Sequence, residues 1–207
     1  MELCEYLYVE MMKLFRDTTY DGKDVIVTLI YDKKVIDIAD GHYVSLYQTS
    51  ESDRWFDIGA EHWHKTEHAS IDVRTGSKKA YGKMKELIFT VFDGGNVVFR
   101  KKDTYDAVLE EGISATSIEV IGSYLRKVTV VDPSIYAENE FVQLRHADGG
   151  TEEGWVVDIY GNEVYVWLKE MTLFLTRPAG VNELSDRMRR LFRFVVDVEG
   201  QIIHAVQ

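Results

Sequence analysis

The chain has 207 residues, of which 45% are hydrophobic and 29% charged, enough for one sizeable core and a smaller second one. A net charge of -11 argues against a protein that grips nucleic acid through phosphate neutralisation, since that binding runs on Lys and Arg. One cysteine, Cys4, excludes an internal disulfide and a Cys-built zinc site, and no apolar run approaches the ~20 residues of a membrane span. The start, MELCEY, has no basic region and does not read as a secretory signal.

In chain order, Leu3, Tyr6, Leu7, Met11, Leu14 and Phe15 trace one side of a helix from about Glu2 to Arg16, broken by Asp17, Thr18, Thr19 and Asp21-Gly22. Asp24 to Tyr31 is β-branched on both faces, as expected of a central or doubly covered strand. Tyr43 to Gln48 is a second strand, and Thr49 to Arg54 reads as a hairpin tip leading through Trp55, Phe56 and Ile58 into a third. In that third strand Trp63, Ala69, Ile71 and Val73 alternate with His64, Thr66, His68, Ser70, Asp72 and Arg74. The period then changes: Ala80, Tyr81, Met84, Leu87, Ile88, Val91 and Phe92 recur at helical spacing. Thr75 or Ser77 can cap this helix, and Asp93-Gly94-Gly95-Asn96 ends it.

Residues 97 to 112 read as irregular, with a short helical turn at Tyr105 to Leu109. Five short strands follow, at Ser117 to Ile121, Leu125 to Val131, Glu140 to Arg145, Gly154 to Tyr160 and Glu163 to Leu168, the last two joined by a tight Gly161-Asn162 turn. Residues 111 to 168 therefore form an inserted β-barrel or β-sandwich module, with 1 to 110 and 169 to 207 as a discontinuous host domain. Asn182 to Met188 reads as a turn or helix. The last strand alternates Phe192, Phe194, Val196 and Val198 with Arg193, Val195, Asp197 and Glu199. The expected fold class is α+β, a mostly antiparallel four-stranded sheet with two helices on one face, plus the inserted all-β module.

No nucleophile motif, phosphate loop or dinucleotide fingerprint is present. His62, His64 and His68 share one strand face, but His68 lies about 13 Å from the first pair at strand rise, and no fourth ligand is placed. Exposed histidines flanking a hairpin are the plainer reading; a metal-binding hydrolase using them is the rival of a different class. Asp57 with Glu61 forms an acid and base pair only by chance among 35 carboxylates. Lys78 and Lys79 stand at a helix start, where the macrodipole disfavours cations, so they mark either contact with an acidic neighbour or a tolerated surface cost. Aromatic residues crowd two hairpins, Trp55, Phe56 and Trp63 in one and Trp155, Tyr160, Tyr165 and Trp167 in the other; half must be core, and the rest resemble an interface.

The segment YVSLYQTSESDRWFDIGAEHWHKTEHASIDVRTGSKKAYGKMKELIFTVF, with its SIDVRT strand running into a helix, resembles tail-terminator or tail-completion proteins of long-tailed phages and archaeal tailed viruses. SDRMRRLFRFVVDVEG is similar to that family's closing strand, and the module at 111 to 168 is a departure from its minimal members. The resemblance implies a virion protein of the tail and neck, assembled in the host cytoplasm. It further implies a homo-oligomeric ring, usually of six subunits, that caps the tail tube and meets neck or head-closure proteins while genomic DNA passes without specific binding. It implies no catalysis, cofactor, metal or membrane. A head-closure or minor neck protein is the neighbouring alternative, and a cellular acidic adaptor a third. Trp55, Phe56, Ile58, His62, His64 and Glu67 are the candidates for subunit or tube contact, and Trp155, Tyr160 and Tyr165 for a contact made by the insert.

Overall fold

A computed structural model describes residues 2–30, 41–55, 62–93, 97–175, 180–186 and 191–205. The chain begins with α1 (Glu2–Phe15), β1 (Thr19–Tyr20), β2 (Lys23–Leu29), β3 (His42–Trp55), β4 (His62–Thr75) and α2 (Lys78–Thr90), with a 3-10 turn at Val91–Asp93. It continues through β5 (Val97–Phe99), β6 (Ala107–Glu110), β7 (Ala115–Val120), β8 (Leu125–Val130), β9 (Phe141–Arg145), β10 (Thr151–Tyr160) and β11 (Glu163–Trp167). It ends with β12 (Met171–Leu175), β13 (Gly180–Asp186) and β14 (Leu191–Ala205). Two compact units result, one of Met1–Val97 with Thr172–Gln207 and one of Val98–Met171.

The first unit is built on an eight-stranded sheet in the order β1-β2-β3-β4-β14-β12-β5, with β13 also paired to β14. This corrects the expected four-stranded, mostly antiparallel sheet. The sheet is mixed, because β2 runs parallel to β3, from Val25 opposite His42 to Leu29 opposite Leu46. Apolar alternation marks a strand but carries no direction, and short strands such as β1 and β5 have too few residues to show a period. Asn182, expected in a turn or helix, lies in β13. Nor is β2 doubly covered: only Val25 is buried along it, and Ile26 is exposed.

One face of this sheet carries both helices. Register puts Val44 and Leu46 of β3, Glu67, Ala69, Ile71 and Val73 of β4, and Phe194, Val196 and Val198 of β14 on that face, all buried. Leu3, Leu7, Met11 and Phe15 of α1 and Ala80, Met84 and Ile88 of α2 are buried too. Gly200 sits opposite Glu67 because a Cβ there would come within 2.7 Å of Leu3 Cδ1. The start of α2 is fixed by Ser77, whose hydroxyl accepts from the Ala80 N-H at 3.3 Å, one of the donors a helix start leaves without an internal partner.

The second unit is one six-stranded sheet, β6-β9-β10-β11-β8-β7. Its two outer strands are joined by a four-residue turn in which Glu111 bridges Ala115, so the sheet curls back on itself. Every strand sends apolar residues into one interior: Leu109, Ala115, Val128, Val130, Val142, Leu144, Val156, Val164 and Val166. The β-branched bias of these positions suits a small barrel, where side chains rather than solvent fill the inside. The 97 to 112 stretch holds β5 and β6 instead of a helical turn, so the compact unit begins at Val98, ahead of the expected Glu111. At the β10–β11 turn, Tyr160 pairs with Glu163, and Gly161 alone takes positive φ, at 56°.

Tyr136 is also part of the barrel core, and its buried hydroxyl has no hydrogen-bond partner among the described residues. Tyr136→Phe is therefore expected to be neutral or to stabilise the fold by up to about 1 kcal/mol, because the unmet desolvation cost of the hydroxyl disappears. Urea denaturation of the two forms measures this. A loss above 1 kcal/mol would mean that the hydroxyl has a partner.

Candidate functional surface

The sheet face opposite the helices is polar. Tyr43, Ser45 and Tyr47 of β3, His68, Ser70, Asp72 and Arg74 of β4, and Arg193, Val195, Asp197 and Glu199 of β14 occupy its alternate positions. Register sets Arg193 directly across from Arg74, a like-charge pair that is unfavourable alone. Asp72, next on the same face of β4, pairs with both. Arg193 donates to it through Nε at 2.8 Å and Nη2 at 2.9 Å, a fork matched to a carboxylate, and Arg74 Nη2 donates at 2.8 Å. The two guanidinium groups leave Asp72 only 3% exposed, and its charge raises the Arg193 pKa. Beside them, the Ser70 hydroxyl donates to Asp197 at 2.6 Å.

On the helix face, Glu51 and Glu67 are opposite each other across β3 and β4, and Lys65 Nζ reaches both, at 2.9 and 2.7 Å. Glu67 is fully buried and also accepts the Leu3 N-H at 2.8 Å, one of the orphan donors at the start of α1. Burial works to lower the Lys65 pKa, but the hydrogen bonds to Glu67 and Glu51 outweigh it and the net shift is upward. At the far end of the same hairpin, buried His42 places Nδ1 2.7 Å from the Thr75 hydroxyl and Nε2 2.8 Å from the Tyr20 carbonyl. The carbonyl only accepts, so Nε2 carries the proton and Nδ1 accepts from Thr75. His42 thereby ties β1 to β3 and β4.

The expected contact residues separate into three groups. Phe56 and Ile58 lie outside the described residues. Trp55, His62 and His64 have described backbone only, with His62 opposite Ala205 and His64 opposite Ile203 and Arg54. His68 is half-buried on the polar face, and among the described residues no three His, Cys, Asp or Glu side chains are grouped to hold a metal ion. Three candidates are corrected. Glu67 is a buried partner of Lys65 and α1, with no surface to offer a neighbour. Trp155 is buried, its Nε1-H donating to the Arg100 carbonyl at 3.2 Å, and Tyr165 is buried with its hydroxyl donating to Glu163. Of the insert candidates, Tyr160 alone is exposed. Pairing with Phe141 and Trp167 places Trp155 in an aromatic layer.

Two surface features went unread in the sequence. Ile113, Val131 and Ile135 are 70%, 64% and 60% exposed, a signal legible as large apolar residues set among turn formers, Gly112-Ile113-Ser114 and Val131-Asp132-Pro133. The other is a pair of open sheet edges. Beyond the two residues of β1, the outer edge of β2 from Val25 to Leu29 has no strand partner among the described residues, and neither has the outer edge of β13. Strand edges of this kind are templates for another chain.

No family model matches the chain, and no curated protein matches it either.

Proposed function

We propose that this chain is a non-catalytic structural protein of a tailed virion, forming a ring that caps the tail tube and joins it to the neck. The observation that carries the reading is the pair of open edges, at β2 and at β13, on opposite flanks of the β3-β4-β14 core of one sheet. Two different surfaces on one subunit that can pair with each other give heterologous contacts, which make a ring when the rotation from one subunit to the next closes. The resemblance of the β3 to α2 segment and of β14 to tail terminators supplies the rest. A helix-free face whose two arginines are both held by Asp72 and which also carries Asp197 and Glu199, on a chain of net charge -11, suits a surface that DNA passes. Phosphate is repelled by such a surface within a Debye length of about 8 Å.

Light scattering with negative-stain imaging tests this, using Val181→Pro and Asn182→Pro. Adjacent residues of an antiparallel strand point their N-H groups to opposite sides, so one of the two prolines removes a donor from the open edge and spares the pairing with β14. The expected result is that the wild type forms rings and that one proline variant is folded but monomeric. Rings that persist in both folded variants would refute pairing through β13.

A further inference from the structure

The barrel unit carries seven Lys and Arg against fourteen Asp and Glu, so most of the chain's net negative charge resides in Val98–Met171. Three of its four most exposed large apolar side chains, Ile113, Val131 and Ile135, gather at one corner, while the fourth, Val120, stands at the end of β7. The Val131 N-H donates to the Ser114 carbonyl at 3.0 Å, which brings Val131 beside Ile113, and Ile135 follows within the 3-10 turn Pro133–Ile135. Glu110, Glu111 and Asp132 rim this corner. Arg145 is held to Glu110 at 3.4 Å. Asp132 accepts both the N-H and the hydroxyl of Ser134, which keeps its carboxylate charged.

The first turns of α2 have the opposite character. Lys78, Lys79 and Lys83 are exposed and make no ion pair among the described residues, whereas Lys85 of the same helix is paired to Glu183. The first turn holds no acidic residue, so Lys78 and Lys79 sit unrelieved at the positive end of the helix macrodipole. Between these lysines lies Gly82, around which a Cβ would meet nothing within 4 Å, leaving bare helix backbone. A glycine there weakens the helix by about 1 kcal/mol relative to alanine, with no packing inside the subunit that requires it.

We propose that the Ile113, Val131 and Ile135 corner of one copy docks on the Lys78 to Lys83 face of α2 in a second copy. The apolar side chains lie on the bare backbone at Gly82, and the acidic rim meets the three lysines. The contact joins two different faces, so it is heterologous, and it rests on the ring reading by adding a second joint to the same assembly. Removing the triad from water supplies the apolar part of the interface, and the charges set orientation and partner choice. Because the charged part lies at the rim, the contact weakens as salt shortens the Debye length.

The test uses two full-length variants, Lys79→Glu/Lys83→Glu and Glu110→Lys/Glu111→Lys, with near-UV circular dichroism to confirm folding and light scattering to read mass. Each alone is expected to self-associate at least tenfold more weakly than the wild type. Mixed in equal amounts they are expected to regain assembly, since the reversed helix of one then faces the reversed barrel of the other. Ile113→Ser/Ile135→Ser should lose assembly with its charge unchanged. Variants that assemble like the wild type, or a mixture that stays dissociated, would overturn the contact and leave the edge-paired ring standing. A wild type that is monomeric at every concentration would overturn both.

Discussion

Lys65→Met is expected to cost about 3–5 kcal/mol at neutral pH, because it leaves the fully buried Glu67 carboxylate without its cation. Methionine fills the aliphatic volume, so the loss isolates the charge. The Leu3 N-H still donates to Glu67, but a neutral donor does not replace a buried cation. In the wild type, the folded pKa of Lys65 lies above its unfolded value. Its contribution is therefore complete at all pH below the ordinary lysine range and is lost only as pH rises through the higher folded pKa. Urea denaturation of both proteins at pH 7 measures this; a loss under about 1 kcal/mol would show that Glu67 has another source of compensation.

Trp167→Ala should cost a similar ~3–5 kcal/mol, the range for emptying the site of a large buried aromatic. Trp167 is 0% exposed, stacks on Phe99 at 6.2 Å and touches Tyr124 at 6.0 Å. Its Nε1-H donates to the Lys169 carbonyl at 2.8 Å, so truncation also removes a partly buried hydrogen bond. The strand beneath depends on it too. Gly154 lies against the Trp167 backbone so closely that a Cβ would come within 2.4 Å of its carbonyl oxygen, and this part of β10 and β11 is therefore already packed without slack. Trp167→Phe keeps most of the apolar area and should cost less than half as much. Thermal or urea unfolding followed by near-UV circular dichroism separates the cases, and a Trp167→Ala protein within 1 kcal/mol of wild type would place the barrel's stability in its valine interior alone.

Period and turn chemistry within the chain settled a good part of the architecture. The 3.6-residue recurrence in Leu3 to Phe15 and Ala80 to Ile88 located α1 and α2, and Ser77 as a cap candidate located the start of α2, since these signals live within a few neighbouring residues. Strict alternation in Trp63 to Val73 and Phe192 to Val198 identified β4 and β14, and the Gly161-Asn162 turn identified the β10–β11 hairpin. Tertiary structure decided what depends on partners far away in sequence. The parallel pairing of β2 with β3, the strand count and the open edges follow from hydrogen bonds between distant segments, which no local period encodes. Burial decided the site residues in the same way. Glu67, Trp155 and Tyr165 look like surface groups from their neighbours in the chain, yet Glu67 holds the Leu3 N-H, Trp155 pairs with Phe141 and Trp167, and Tyr165 is buried between β10 and β8. Conversely, Ile113, Val131 and Ile135 look like core and stand in solvent. An apolar side chain is buried only if another element arrives to cover it, and that arrival is a property of the whole fold.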